Sequence, residues 1–247
     1  MRAHWPTMGT VASVHSVEPV PDAVLAAVRG ALAETDSRFS LYRQDSELSR
    51  IARGELALED AGIAVRDAYA EALAWRQRTD GAFTAHRPDG VVDLSGLVKA
   101  TAMHDSAMLL DASGVSTWTL GVGGDLVRAS GPHPAALGIV DPDARTRLFT
   151  AVRLGDHRRA LATSGSAERG EHIWTRTDLP RSPFAQVSVA ADDIVTADVL
   201  ATAIVAGGQP MLELACDRWD IDVLAVGREG ELHATPGMRA AIAAAAA

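Results

Sequence analysis

One cysteine, Cys216, is the only thiol in 247 residues, so no internal disulfide can staple this chain. It lies in LELACDRW, where a small apolar residue on a helix is a simpler reading than a nucleophile. Basic residues are scarce as well. Lys and Arg number 23 against 32 Asp and Glu, and the formal net charge of −9 argues against a surface that tracks a nucleic-acid backbone. A small anionic ligand is not excluded, because it needs only a local pocket of backbone N–H groups, a metal or one Arg. No stretch approaches the roughly 20 apolar residues that span a bilayer. The opening MRAHWPTMGTVASV has neither the apolar segment of a secretory leader nor a lipidation site, and the expectation is a cytoplasmic chain. Repeats of fixed period and long Pro/Ser linkers are also missing. What remains is ordinary globular composition, 47% hydrophobic and 22% charged, in a chain long enough to bury a core.

The patterning mixes strands and helices. Residues 8–19 alternate as a first strand should, and PDAVLAAVRGALAETDSRF (21–39) repeats apolar residues at helical spacing. Residues 58–81 read as a longer helix stopped at Asp80-Gly81, and 91–114 as a short strand, a Ser-Gly turn and a helix ended by Gly114. STWTLGVGGDLVRASG (116–131) predicts a strand, a Gly-rich turn and a returning strand. The pieces AALGIVDP, RLFTAVRL, RRALATSGS, HIWTRT, FAQVSVAA (184–191) and IDVLAVG (221–227) are strand-like. Helices are expected from about Asp193 to Ala206 and near 209–219. Without strict βαβ alternation this favours an α+β fold. A single domain over 1–247 is the simplest organisation, with 238–247 an Ala-rich tail.

One helix raises a chemical question. In TADVLATAIVAGG (196–208), Asp198 sits in an apolar run with Thr202 four residues on, on the same face. A buried carboxylate is costly unless it meets a cation or hydrogen-bond donors. Three readings are open: Asp198 bonds free N–H groups at the helix start, with Thr196 as the cap; it pairs with an Arg from elsewhere; or Asp198 and Thr202 supply oxygen ligands to a hard cation such as Mg²⁺. The turn LGVGGDL (120–126) leads into a strand, so it is no dinucleotide fingerprint. LATSGSAERG (161–170) is a loop able to aim N–H and hydroxyl donors at a phosphate. Lys99 either faces a phosphate or is solvated at a helix start, and His172 alone reads as structural.

The order of the pieces is more specific than any one of them. MGT (8–10), FSLYRQDSELSRI (39–51), TDGAF (79–83), VDLSGLVKA (92–100), GVGGDL (121–126), TSG (163–165), HI (172–173) and ADVLATA (197–203) together resemble the flavin transferase (ApbE) family, over residues 8 to about 208. The resemblance implies an ApbE-like fold and an Mg²⁺-dependent FAD:protein FMN transferase. Such an enzyme moves FMN from FAD, its substrate, to a Thr or Ser hydroxyl of an acceptor protein and releases AMP. It implies metal ligation by Asp198 and Thr202, with the backbone carbonyls of Val98 and Ala201. It implies flavin or phosphate contacts from Met8, Ser40, Tyr42, Ala82, Phe83, Thr84, Ser95, Thr101, Thr163, Ser164, Gly165 and Ile173. His172 is the candidate for handling the acceptor's proton.

The chain departs from the family pattern at several points. Thr84 stands where GAFD is usual, and after Lys99 the family's GYAxD becomes ATAMHD, with His104 in the Asp position and Asp105 one residue late. A one-residue offset turns a helical side chain by roughly 100°. The tyrosine after TSG is absent, and TRTDLPRS replaces DPRTG. Kept metal ligands beside a changed shell suit a transferase with altered flavin or acceptor preference. They also suit a non-catalytic FAD-binding protein, or an FAD hydrolase giving FMN and AMP.

Overall fold

The computed structural model describes residues 1–131, 136–165 and 181–246. Among the described residues ten strands form: β1 (Arg2–Thr7), β2 (Thr10–Ser16), β3 (Trp118–Val122), β4 (Asp125–Arg128), β5 (Leu137–Asp141), β6 (Ala144–Val152), β7 (Ala160–Gly165), β8 (Phe184–Ala191), β9 (Asp222–Gly227) and β10 (Leu232–Ala234). Eight of them make one sheet in the order β1-β2-β3-β4-β7-β8-β9-β10, and β5 and β6 pair separately. Every neighbouring pair in the large sheet is antiparallel, in keeping with an α+β fold. Among the described residues the α-helices are α1 (Asp22–Phe39), α2 (Glu47–Ala52), α3 (Ile63–Arg78), α4 (Ser95–Ala112), α5 (Ile194–Arg218) and α6 (Pro236–Ala246).

Period-two alternation sorts the strand residues onto two faces. Ala160, Ala162, Val187, Val189, Val223 and Ala225 join the main core with Leu32 of α1, Leu97 and Met103 of α4 and Leu200 and Ile204 of α5. Leu161, Ala190 and Leu224, one residue out of step, join a second core with Leu137 and Ile139 of β5, Val152 of β6 and Met238 of α6. At β7–β9 the sheet is therefore covered on both faces, which is why these strands are almost continuously apolar.

α5 is two helices joined at a break. Gly208 takes φ 64° and ψ −152°, which leaves the helical region, and Pro210 sits in the first turn of the second segment, where its missing N–H costs nothing. The two expected helices, ending near Ala206 and starting near 209, match this division. By length and composition alone α5 passes for a membrane span, contrary to the sequence reading; 67% of its apolar window is buried inside the protein.

Other expectations shift. The first strand is a hairpin, β1 and β2, turned by Met8 (φ 49°) and Gly9 (φ 71°), two consecutive positive-φ residues as a type I′ turn demands. Residues 58–81 split into a 3₁₀ turn at Leu58–Asp60 and α3. Ser95 and Gly96 are the first residues of α4 itself rather than a preceding turn. The strand-like HIWTRT lies outside the described residues.

Candidate active site

Asp198 does not cap its helix. Asp193 is the N-cap, its carboxylate accepting the Thr196 N–H at 2.8 Å, so Thr196 is three residues into the helix and Asp198 lies beyond the orphan N–H groups. Among the described residues a basic partner is Lys99, whose Nζ lies 3.4 Å from Asp198 Oδ2. The same ammonium contacts Asp125 Oδ2. Asp125 and Asp198 are buried and Lys99 is nearly so, which removes the reading of Lys99 as a solvated side chain.

Three elements build this cluster. Lys99 projects from the second turn of α4, Asp198 from α5, and Asp125 from the first position of β4, just after the two-residue Gly123-Gly124 turn. Asp125 also binds the backbone. Its Oδ1 accepts the Thr163 N–H at 2.9 Å, so a side chain completes the β4–β7 ladder where β4 ends. One turn along α5 from Asp198, the Thr202 hydroxyl meets the Ser164 hydroxyl of β7 at 3.0 Å. The sequence reading did not single out Asp125. Its only signal was a carboxylate placed directly after GVGG, and nothing in the chain pairs it with Lys99.

The donor set suits a hard divalent cation. Asp125, Asp198 and Lys99 together carry one negative charge more than positive, inside the fold. The neighbouring neutral donors are hydroxyl oxygens. Among the described residues no three His, Cys, Asp or Glu cluster, which disfavours a zinc-type cage. Mg²⁺, by contrast, needs only one or two carboxylates when phosphate oxygens and water complete its octahedron. Val98 and Ala201 lie inside helices, so their carbonyls already accept a helical N–H and offer only the second lone pair.

The other sequence-predicted residues take varied places. Ala82 and Phe83 are buried, and glycines explain how closely they approach. A Cβ on Gly207 of α5 would come within 3.0 Å of the Ala82 Cβ, and one on Gly96 within 3.3 Å of the Phe83 ring. The GAF segment is thereby clamped between α5 and the start of α4. The Thr84 hydroxyl accepts the His86 N–H at 3.1 Å. Met8 packs on the main core from the hairpin turn. Ser40 ends α1, and its carbonyl accepts the Ser46 and Ser49 hydroxyls. Tyr42 is 92% exposed, Ser95 is exposed, and the Thr101 hydroxyl donates to the Leu97 carbonyl at 3.2 Å. His104 and Asp105 both face solvent from α4.

The TSG segment is divided between the two faces. Ser164 points to α5, whereas the Thr163 hydroxyl bonds Ser188 of β8 at 2.8 Å on the opposite side of the sheet. Thr163 therefore offers the cluster its backbone and not its side chain. Gly165 closes the strand, with the Ala185 carbonyl occupying the place where a Cβ would stand. His172 and Ile173 lie outside the described residues.

A buried, carboxylate-rich, hydroxyl-lined cluster on the helical side of an antiparallel α+β sheet defines a class of site suited to a cation and an anionic ligand together. The sequence pattern of the ApbE family matches residues 84–225, more than half of the chain, and the protein belongs to that family. An FAD:protein FMN transferase of Rhodobacter capsulatus is 32% identical over 166 residues, which cover 62% of this chain. The match spans only 31% of that relative's length. Among solved structures, the flavin transferase ApbE from Vibrio cholerae superposes with a TM-score of 0.78 at 22% identity, over 97% of this chain and 99% of that one. The ApbE protein from Thermotoga maritima gives 0.79 at 18%, over 98% and 99%. The Pseudomonas stutzeri flavinyl transferase ApbE gives 0.75 at 23%, over 99% and 97%. These likenesses show that the whole chain shares the ApbE fold.

Proposed function

We propose that the protein is an Mg²⁺-dependent FAD:protein FMN transferase, which moves FMN from FAD to a Thr or Ser hydroxyl of an acceptor protein and releases AMP. The observation that carries this reading is the Lys99–Asp125–Asp198 cluster beside the Ser164–Thr202 hydroxyl pair. The names of the relatives support it. Asp198 and Thr202 would hold the cation, with the Val98 and Ala201 carbonyls. An Mg²⁺ ion held there would supply charge neutralisation to the FAD pyrophosphate.

The acceptor hydroxyl attacks the FMN-side phosphorus, the bond to the AMP oxygen breaks, and AMP leaves with its electron pair. Phosphoryl transfer of this kind asks the protein mainly for alignment and a matched field. Lys99 adds a donor and a positive charge at the edge of the cluster. Ala82, Phe83 and Thr84 form a segment clamped rigidly enough to hold one orientation of a flavin. His172 is the candidate to take the hydroxyl proton, a role that suits an imidazole near neutral pH.

The test is incubation with FAD and Mg²⁺, with and without an acceptor peptide, measuring AMP. AMP released only with acceptor, and lost in Asp198→Ala, is the expected result. AMP released without acceptor would make the protein a hydrolase, and FAD bound without AMP would make it a flavin-binding protein. If His172→Ala transfers flavin normally, its proposed role is wrong.

A further inference from the structure

The proposed transfer reaction leaves one carboxylate of the cluster without a function. From its geometry we infer that Asp125 is a positioning residue that holds the Lys99 ammonium, so that it competes less with a divalent cation for the Asp198 carboxylate. This rests on the reading of Asp198 and Thr202 as cation ligands.

The geometry separates what can move from what cannot. Lys carries a point charge on a flexible four-carbon stem, and it settles on whichever carboxylate holds it best. Asp125 is fixed. It is wholly buried at the start of β4, directly behind a glycine turn, and its Oδ1 is tied to the Thr163 N–H. That bond orients its Oδ2, and the ammonium is in contact with it while remaining 3.4 Å from Asp198. In a buried site the attraction between charges is weakly screened and favours the nearer partner. Asp125 thus holds the ammonium nearer to itself than to Asp198, where it neutralises part of the cluster's charge.

Asp125→Asn keeps the shape and an oxygen for Thr163 but removes the charge. Of the two aspartates only Asp198 then attracts the ammonium, and a divalent cation must displace it. Groups that orient a metal ligand without touching the metal typically alter its affinity by about ten- to a hundredfold. A loss of that size is expected for Asp125→Asn. Removing the ammonium as well, in Asp125→Asn/Lys99→Met, should restore affinity, and Lys99→Met alone should bind at least as tightly as the wild type.

The experiment titrates the purified full chain with Mn²⁺ alone, following free Mn²⁺ by electron paramagnetic resonance, with circular dichroism to verify the fold. Weak binding by Asp125→Asn, recovered in the double variant, supports the proposal. Wild-type affinity in Asp125→Asn overturns it. So does weak binding in both variants, because Asp125 would then be a ligand or a purely structural group. If Asp125→Asn does not fold, Lys99→Met decides: weaker binding than wild type overturns the proposal, and equal or tighter binding supports it. Mn²⁺ binding that survives Asp198→Asn, or no binding by the wild type, would instead remove the cation reading on which the proposal stands.

Discussion

Two clusters in this molecule have the same charge arithmetic, one basic side chain between two aspartates, and opposite characters. Arg158 donates from Nε to Asp222 at 2.9 Å and from Nη2 to Asp220 at 2.6 Å, tying the entry to β7 against the entry to β9. Asp220 is 88% exposed, so water screens the excess negative charge. Lys99 stands between Asp125 and Asp198, whose side chains are 0% and 3% exposed, and no such screening is available. The guanidinium fork also fixes its two partners in place, whereas an ammonium can be shared and shifted. Burial of the carboxylates, more than the number of charges, separates the cluster proposed to take a cation from a clasp on the surface.

Exchanging the aspartates tests this contrast most severely. Asp198→Asn is expected to reduce divalent-cation affinity and AMP release by about a hundredfold or more, while Asp222→Asn should leave both within about twofold in the same assays, because the clasp lies outside the Lys99 cluster. Thr202→Val is the next largest case. It keeps the volume and removes one oxygen, and the expected loss of Mn²⁺ affinity is about tenfold, measured by the same titration.

Arg158→Met probes the clasp from the other side. It leaves Asp222, half-buried, without its guanidinium donor, and the thermal midpoint should fall by several degrees with Mn²⁺ affinity unchanged. The smallest effect is a pH dependence. The hydrogen bond from Arg158 holds the Asp220 carboxyl below its ordinary value of 3.8. A depressed carboxylate contributes stability that is complete above the unfolded value and fades as the pH drops through the folded one. Urea midpoints recorded downward from about pH 5 should therefore fall below about pH 4 in the wild type. Arg158→Met should show a shallower fall over that window.

Much of the frame was legible because local rules carried it. The break at Gly208 follows from AGGQP, where two glycines and a proline cannot continue an α-helix, and β8 matches FAQVSVAA residue for residue. β1 was missed because RAHWPT contains Pro6 and mixed side chains; its place at the sheet edge, where an N–H is dispensable, is what admits the proline. Asp198 announced itself as a misfit in an apolar helix, but its partners did not. Lys99 and Asp125 are brought to it by α4 and β4, and contacts between elements so distant in sequence leave no periodic trace. The opposite pointing of Thr163 and Ser164 was likewise hidden until β7 was seen to be covered on both faces.

The bond between the Thr163 N–H and Asp125 has a further consequence, in time rather than in space. A ladder rung supplied by a side chain opens when that side chain turns, without the strand separating. Hydrogen exchange at this single amide therefore reads out how often the Asp125 carboxylate lets go, and slower exchange on adding a divalent cation would give the cluster an internal clock.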